Sequence, residues 1–131
     1  MPRRLVRSGL LAVLAIAIGV AVVKLRPRPA EVDVTMVDDR FMPARLTFKQ
    51  GVLSRLRLTN RGKHTHEFTA PTFFATAEID NPGVLNREHT EIVVGPGESK
   101  DLLLTARRPG TYDLRCSDHD WDGMIGGIVV E

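Results

Sequence analysis

Residues 111–130 read TYDLRCSDHDWDGMIGGIVV, and both ends of this stretch have the pattern of β-strands. In the first half, apolar and polar residues alternate, which places Leu114 and Cys116 on one face and Arg115 on the other. The apolar end, IGGIVV, indicates a second strand that follows a polar loop. Together, the two halves of the stretch predict a strand, a loop and a returning strand, with Cys116 at the inner edge of the core.

The same alternation recurs upstream and indicates further short strands. Leu56 and Leu58 share one face of residues 52–59, for example, while Arg55 and Arg57 share the other. Glycine and proline turns separate these runs, and residues 72–77 are compatible with one helical turn. The predicted fold is therefore all-β, an antiparallel β-sandwich of seven to eight strands. The strand-like runs are residues 31–36, 46–48, 52–59, 66–68, 91–94, 102–104, 111–116 and 125–130.

The first thirty residues differ from the rest and form a separate region. They carry six basic residues and no acidic one, and residues 10–23 contain no charge. This pattern predicts either a cleaved secretory signal or an N-terminal membrane anchor across residues 8–25, since no clear cleavage site decides between them. Residues 1–30 are thus a leader with a proline-containing connector, and residues 31–131 are one domain.

The charge of the domain differs from that of the whole chain. Of the 18 basic residues, 12 lie in residues 31–131 together with all 16 acidic ones, which gives the domain a net charge of −4 against +2 for the chain. No basic face remains that would indicate nucleic acid as a partner. The leader predicts an exported protein, on the periplasmic or extracytoplasmic side of a membrane, and a monomer is the default state.

The loop after the first strand of the opening stretch carries three metal-ligand types within nine residues. Cys116 is the only cysteine of the chain, and His119 and Met124 follow it. A lone cysteine in an exported protein is either a buried apolar residue or is engaged by another group, such as a metal. Thiolate, imidazole and thioether together favour copper, and a His₂Cys site with a weak axial Met is an electron-transfer site.

Such a site needs a second histidine, and the chain offers two neighbouring candidates. His66 precedes Glu67 and Phe68 at the start of a predicted strand, and it points to the same side as Phe68. His64 is the alternative ligand, because it lies two residues earlier on the same face. Of the remaining candidates, His89 is predicted to be a solvated loop residue. Met36 and Met42 are predicted to fill the core.

Together these segments resemble the cupredoxin family. The resemblance rests on GTYDLRCSDH at residues 110–119, Gly123-Met124, Asn60 with His66-Glu67-Phe68, and the turn at residues 95–98. The spacing of the ligand loop is similar to that of plastocyanin and pseudoazurin rather than azurin. The resemblance spans residues 32–131 and implies a Greek-key sandwich.

The resemblance also implies one copper ion, Cu(I) or Cu(II), bound by His66, Cys116, His119 and Met124. It implies a one-electron carrier, with a redox partner such as a cytochrome, oxidase or reductase docking near His119. A copper carrier or sensor that delivers metal is the alternative. An enzymatic role is not expected, since four histidines cannot supply a multicopper oxygen-reducing cluster. Zinc would make Met124 an unusual ligand.

Two features depart from the family pattern. Glu67 stands where plastocyanin has an asparagine, and we expect it to hydrogen-bond a backbone or hydroxyl group near Ser117. The loop also contains three aspartates and Trp121. The aspartates are expected to be solvated, to favour Cu(II) and to disfavour an acidic partner. Trp121 is either an exposed loop aromatic or part of an apolar docking face around His119.

Overall fold

The computed structural model describes residues 27–131, which form ten strands, one short helix and two 3₁₀ turns. The helix α1 covers Pro71–Thr76, and the 3₁₀ turns lie at Pro82–Val84 and Asp120–Asp122. The strands are β1 (Ala30–Val37), β2 (Arg40–Met42), β3 (Arg45–Phe48), β4 (Leu53–Asn60), β5 (His66–Thr69), β6 (Ala77–Ile79), β7 (Glu91–Val94), β8 (Ser99–Ala106), β9 (Gly110–Arg115) and β10 (Ile125–Val130).

The strands pair into two five-stranded sheets. The first has the order β2-β1-β4-β8-β6, and the second has the order β3-β10-β9-β5-β7. Most neighbours within a sheet are distant in the chain, so the connections cross repeatedly from one sheet to the other, as in a Greek key. The predicted all-β sandwich is confirmed.

Two strand pairs differ from the antiparallel arrangement that the sequence predicted. β1 runs parallel to β4, with Val32 opposite Leu56, and β3 runs parallel to β10, with Leu46 opposite Ile128. Alternation of apolar residues identifies a strand but carries no information on the direction of its neighbour. The strand count also exceeds seven to eight, because β2 and β6 have only three residues each and show no full period.

The core lies between the two sheets and follows the alternation of the strands. Leu56 and Leu58 of β4 are buried, whereas Arg57 between them is exposed. From the opposite sheet, Phe68 packs edge to face against Phe41, with ring centroids 5.9 Å apart. Burial of each such side chain contributes about 1.5–3 kcal/mol, so the paired apolar faces hold the sheets together.

The predicted core positions of the two early methionines have different outcomes. Met36 is fully buried, as predicted. Met42 is 49% exposed, so its prediction is wrong. The reason is the strand period: Met42 follows the buried Phe41 in β2 and therefore points away from the core.

The predicted leader lies almost entirely outside the described residues, so the choice between a signal and an anchor across residues 8–25 stays a prediction. Among residues 27–131, none of the helices is long and apolar enough to cross a membrane.

β5 is the strand that positions the site, and all four of its residues are buried. It pairs with β7 over its full length, with His66 opposite Val94, and touches β9 where Thr69 lies opposite Arg115. The end of β9 therefore brings Cys116 beside the start of β5.

Candidate metal centre

Three predicted ligands converge at one end of the sandwich. His66 Nδ1 lies 3.9 Å from Cys116 Sγ, and His119 Nδ1 lies 3.4 Å from the same sulfur. One possible ligand atom from each of the three residues lies within 4.8 Å of the other two. Within residues 27–131, they form a group of three histidine, cysteine or acidic residues that could hold a metal ion. His66 and Cys116 are buried, while His119 is half-buried.

These distances fit a single metal ion. Metal bonds of about 2.0–2.3 Å to nitrogen and sulfur put neighbouring ligand atoms about 3.5–3.8 Å apart. The observed separations of 3.4 and 3.9 Å from the sulfur bracket that range. A nitrogen–nitrogen–sulfur donor set of this kind suits copper or zinc.

Met124 is held beside the other predicted ligands by the backbone of the loop. The Cys116 N–H donates to the Met124 carbonyl at 3.0 Å, and the Met124 N–H donates to the His119 carbonyl at 3.1 Å. Gly123 between them has φ of 89°, a left-handed conformation that residues with a side chain rarely adopt. Met124 is fully buried. The loop thus turns back as predicted and returns Met124 to the interior.

The rest of the loop is closed by its own hydrogen bonds. The His119 N–H donates to the Cys116 carbonyl at 3.2 Å, and the Asp122 N–H donates to the His119 carbonyl at 3.1 Å. The Trp121 indole donates to the Asp118 carbonyl at 2.9 Å. These bonds fix the backbone on either side of His119.

His64 is not part of this cluster. It is exposed, and its ring centroid lies 6.2 Å from that of His119, whereas the His66 centroid lies 4.9 Å away. Asn60 explains the difference, because its buried amide donates to the carbonyls of His64 and Val94 at 2.8 Å each. These two bonds tie the segment before β5 to β7. His64 is thereby held outside the cluster, and His66 lies inside it.

Glu67 contacts the sulfur itself. The Glu67 N–H donates to Cys116 Sγ at 3.3 Å, and the Cys116 thiol donates to Glu67 Oε2 at 3.0 Å. The prediction that Glu67 bonds a backbone or hydroxyl group near Ser117 is wrong in the kind of group, because its partner is the thiol of the preceding residue, Cys116. The Ser117 hydroxyl instead donates to Glu91 Oε2 at 3.1 Å, and the Thr69 hydroxyl donates to the same oxygen at 3.0 Å.

Burial and the neighbouring carboxylate set the protonation of the thiol. Burial, together with the Glu67 carboxylate, raises the pKa of Cys116 to about 11, against the lowering effect of hydrogen bonds from the Glu67 and Asp118 N–H groups. Without metal, the thiol is therefore protonated at neutral pH. Binding a metal through this sulfur must release its proton.

Asp38 is a residue of the site that the sequence did not reveal. Its Oδ1 accepts a hydrogen bond from His66 Nε2 at 3.1 Å. Burial raises the pKa of Asp38, but the hydrogen bonds from His66 and from the Lys63 and His64 N–H groups outweigh it and leave the pKa lowered. The strand-like runs of the sequence end at residue 36 and resume at residue 46, and an aspartate between them carries no signal for a contact 28 residues away.

The surface beside the ligand loop is partly apolar. Trp121 is 77% exposed and Ile125 is 60% exposed. Both line a groove of about 660 Å³ together with Pro71 of α1 and the charged Arg115 and Asp120. Asp118 and Asp122 of the loop are also exposed. Two of the three predicted solvated aspartates and the predicted exposed loop tryptophan are observed, whereas Asp120 is half-buried.

Known proteins match this chain in sequence and in fold. Residues 10–130 match the protein family described as "Cupredoxin-like domain". Auracyanin B is similar in structure with a TM-score of 0.59 and 19% identity, over 82% of this chain and 93% of its own. Reduced auracyanin from the photosynthetic bacterium Roseiflexus castenholzii gives a TM-score of 0.59 and 18% identity, over 80% and 99%.

A larger protein contains a similar unit. A multicopper oxidase from Campylobacter jejuni, described as a metallo-oxidase, gives a TM-score of 0.60 and 18% identity over 84% of this chain. The match covers only 32% of the oxidase. At identities of 18–19%, these similarities show that the chain shares the fold of these proteins.

Proposed function

Because the chain belongs to the cupredoxin-like domain family, we propose that it is a type 1 copper protein that carries single electrons between redox partners. The family implies one copper ion. In our proposal, His66, Cys116, His119 and Met124 hold it. The observation that carries the proposal is the convergence of one sulfur and two imidazole nitrogens within 4.8 Å.

The ligands would divide their roles by type. When bound, copper supplies one-electron exchange between Cu(I) and Cu(II). Cys116 would provide the thiolate, His66 and His119 would provide two neutral imidazoles, and Met124 would provide a weakly bound thioether that tunes the reduction potential. The thiol proton leaves when the metal binds.

The frame around the ligands suits this task, because hydrogen bonds hold them before any metal enters. Cys116 is fixed by Glu67 and Met124, and His119 by the backbone bonds of the loop. A frame that changes little between two oxidation states keeps electron transfer fast.

We propose that electrons enter and leave at His119. Of the four ligands, His66, Cys116 and Met124 are buried, and only His119 is half-buried. The exposed Trp121 lies close by in the loop and offers a partner an apolar contact. The aspartates around it favour a partner with basic groups, such as a basic cytochrome.

The leader supports export. A basic and apolar start of this kind directs a chain across a membrane, and residues 8–25 would either be removed or keep the protein attached to the outer face. We propose that the domain acts as a monomer at the periplasmic or extracytoplasmic face of the membrane.

Electron transfer is preferred over catalysis by this chain alone. Within residues 27–131, His66, Cys116 and His119 form the one group of three or more histidine, cysteine or acidic residues that could hold a metal ion. A multicopper oxygen-reducing cluster would need histidines that the chain, with four in all, does not have. Copper delivery is the second candidate, favoured by the exposed His64 ring 6.2 Å from that of His119.

An optical spectrum of the full chain with Cu(II) tests the proposal. We expect an intense visible band from the thiolate–copper pair, reversible bleaching on reduction, and loss of the band in Cys116→Ser and His66→Ala. The matched control His64→Ala should keep it. A colourless wild-type complex would count against electron transfer, and rapid copper transfer to an apo-enzyme without reduction by a cytochrome would favour delivery.

A further inference from the structure

We propose that Asp38 is a positioning residue that keeps the hydrogen of the His66 ring on Nε2 and so leaves Nδ1 free to bind the metal. The inference rests on the copper site proposed above. It concerns a contact between the two sheets, because Asp38 lies in the turn after β1 and His66 begins β5.

The two nitrogens of His66 face different groups. Nε2 lies 3.1 Å from Asp38 Oδ1, while Nδ1 lies 3.9 Å from Cys116 Sγ. An ionised carboxylate can only accept hydrogen bonds, so the ring must donate from Nε2. In a neutral imidazole Nδ1 then carries a lone pair, which is the state that a metal requires.

The carboxylate is itself held in place. The Lys63 N–H donates to both of its oxygens, at 3.0 and 3.3 Å. These donors again require an acceptor. Asp38 therefore has little freedom to turn away from His66, and its hydrogen bond fixes the orientation of the buried His66 ring.

A glycine makes room for this contact. A Cβ at Gly62 would lie 2.4 Å from Asp38 Oδ1, 2.9 Å from His66 Nε2 and 3.0 Å from the Asp38 nitrogen. The first two distances are shorter than real Cβ atoms show, and the third is tighter than most real Cβ contacts. The glycine is needed here for space and not for an unusual φ, because any side chain at position 62 would collide with the hydrogen-bonded pair of Asp38 and His66.

The contact has an electronic consequence. A carboxylate that accepts from the far nitrogen of a metal-bound imidazole raises the basicity of the ligating nitrogen. A stronger donor stabilises Cu(II) more than Cu(I). Asp38 thus lowers the reduction potential of the centre, besides selecting the ring nitrogen.

The tautomer can be measured on the full chain without metal. Long-range ¹H–¹⁵N NMR at about pH 8, where imidazole is ordinarily neutral, should show His66 protonated at Nε2. Asp38→Asn keeps an acceptor oxygen and should retain this tautomer, whereas Asp38→Ala should lose it. Asp39→Asn is the matched control: it removes the same charge from the same turn at an exposed residue whose φ of 75° asparagine tolerates.

A second variant disrupts the hydrogen bond between Asp38 and His66 without changing either residue. Gly62→Ala should displace the carboxylate and give the same loss of the Nε2–H tautomer as Asp38→Ala. With copper bound, the reduction potential should rise more in Asp38→Asn than in Asp39→Asn. An Nδ1–H tautomer in the wild type, an unchanged tautomer in a folded Asp38→Ala, or equal potential shifts in the two Asn variants would overturn the proposal. Since the NMR experiment uses no metal, a colourless copper complex would refute the function without affecting this result.

Discussion

The Cys116 thiol donates a hydrogen bond to the Glu67 carboxylate at 3.0 Å, and the Glu67 N–H approaches the same sulfur at 3.3 Å. One residue thus contacts the sulfur with both its backbone and its side chain. The backbone donor is positioned for a thiolate, while the carboxylate favours the protonated thiol. The metal-free and metal-bound forms of the centre therefore place different demands on Glu67.

The first prediction concerns the stability of the metal-free chain in alkali. Burial, with the Glu67 carboxylate, raises the pKa of Cys116 from an ordinary 9.0 to about 11. A group with a raised pKa in the folded state contributes stability that is present below pH 9 and is lost as the pH rises towards 11. We expect the free energy of unfolding to fall by up to about 3 kcal/mol across this range.

Denaturant unfolding at several pH values between 8 and 11 measures this loss. Cys116→Ser is the control, because tyrosine and lysine titrate in both chains and only the thiol differs. The wild-type stability should fall more steeply with pH than that of Cys116→Ser. Parallel curves for the two proteins would show that the buried thiol has no such linkage.

The second prediction concerns Glu91, which ties the start of the ligand loop to β5. Its Oε2 accepts hydrogen bonds from Thr69 at 3.0 Å and from Ser117 at 3.1 Å. Glu91→Ala removes both bonds and should lower the free energy of unfolding by about 1–3 kcal/mol. It should also speed the release of copper to a chelator, because Ser117 adjoins Cys116.

Glu88→Ala provides the comparison for this variant. Glu88 is exposed in the same segment, so its removal should change stability by no more than about 0.5 kcal/mol. Equal stability and equal copper release in the two variants would mean that the Glu91 bonds contribute nothing to the loop.

Much of this structure could be predicted from local patterns in the sequence. The alternation at Leu56, Arg57 and Leu58 predicted both the strand and its buried face, because a strand places successive side chains on opposite sides. The spacing from Cys116 to Met124 predicted a loop that folds back, and a short loop leaves few other conformations. These features depend on neighbours in the chain and can be read from it.

Contacts between distant segments could not be read in the same way. The parallel pairing of β1 with β4 depends on the order of strands within one sheet, and the hydrogen bond between Asp38 and His66 depends on how the two sheets are stacked. The partner of Glu67 was missed for a related reason: its carboxylate can reach several groups, and only the packed structure decides that the sulfur lies nearest. Sequence resemblance suggested the ligands, but not the groups that hold them.

The third prediction concerns docking at Trp121. This side chain is 77% exposed, so Trp121→Ala should change the free energy of unfolding by less than about 1 kcal/mol. It should lower the second-order rate of electron transfer with a basic cytochrome several-fold, since exposed aromatics often dominate contact with a partner. Stopped-flow reduction measures that rate.

Val52→Ala is the matched control for docking. Val52 is also an exposed apolar residue, but it directly precedes β4 in a turn where the Gln50 N–H donates to the Glu131 carbonyl at 2.7 Å, away from the ligand loop. Its rate with the cytochrome should equal that of the wild type. A Trp121→Ala rate equal to the Val52→Ala rate would place the docking surface elsewhere.

The last prediction separates the thioether of Met124 from its packing. Met124 and Met36 are both fully buried, but only Met124 lies beside His119 and Cys116 through backbone hydrogen bonds. Replacing either by leucine conserves volume and should cost less than about 1.5 kcal/mol of stability. Met124→Leu removes a weak donor that favours Cu(II), so the reduction potential should rise. Met36→Leu should leave the potential unchanged in the same redox titration, and equal potentials for the two variants would exclude Met124 as a ligand.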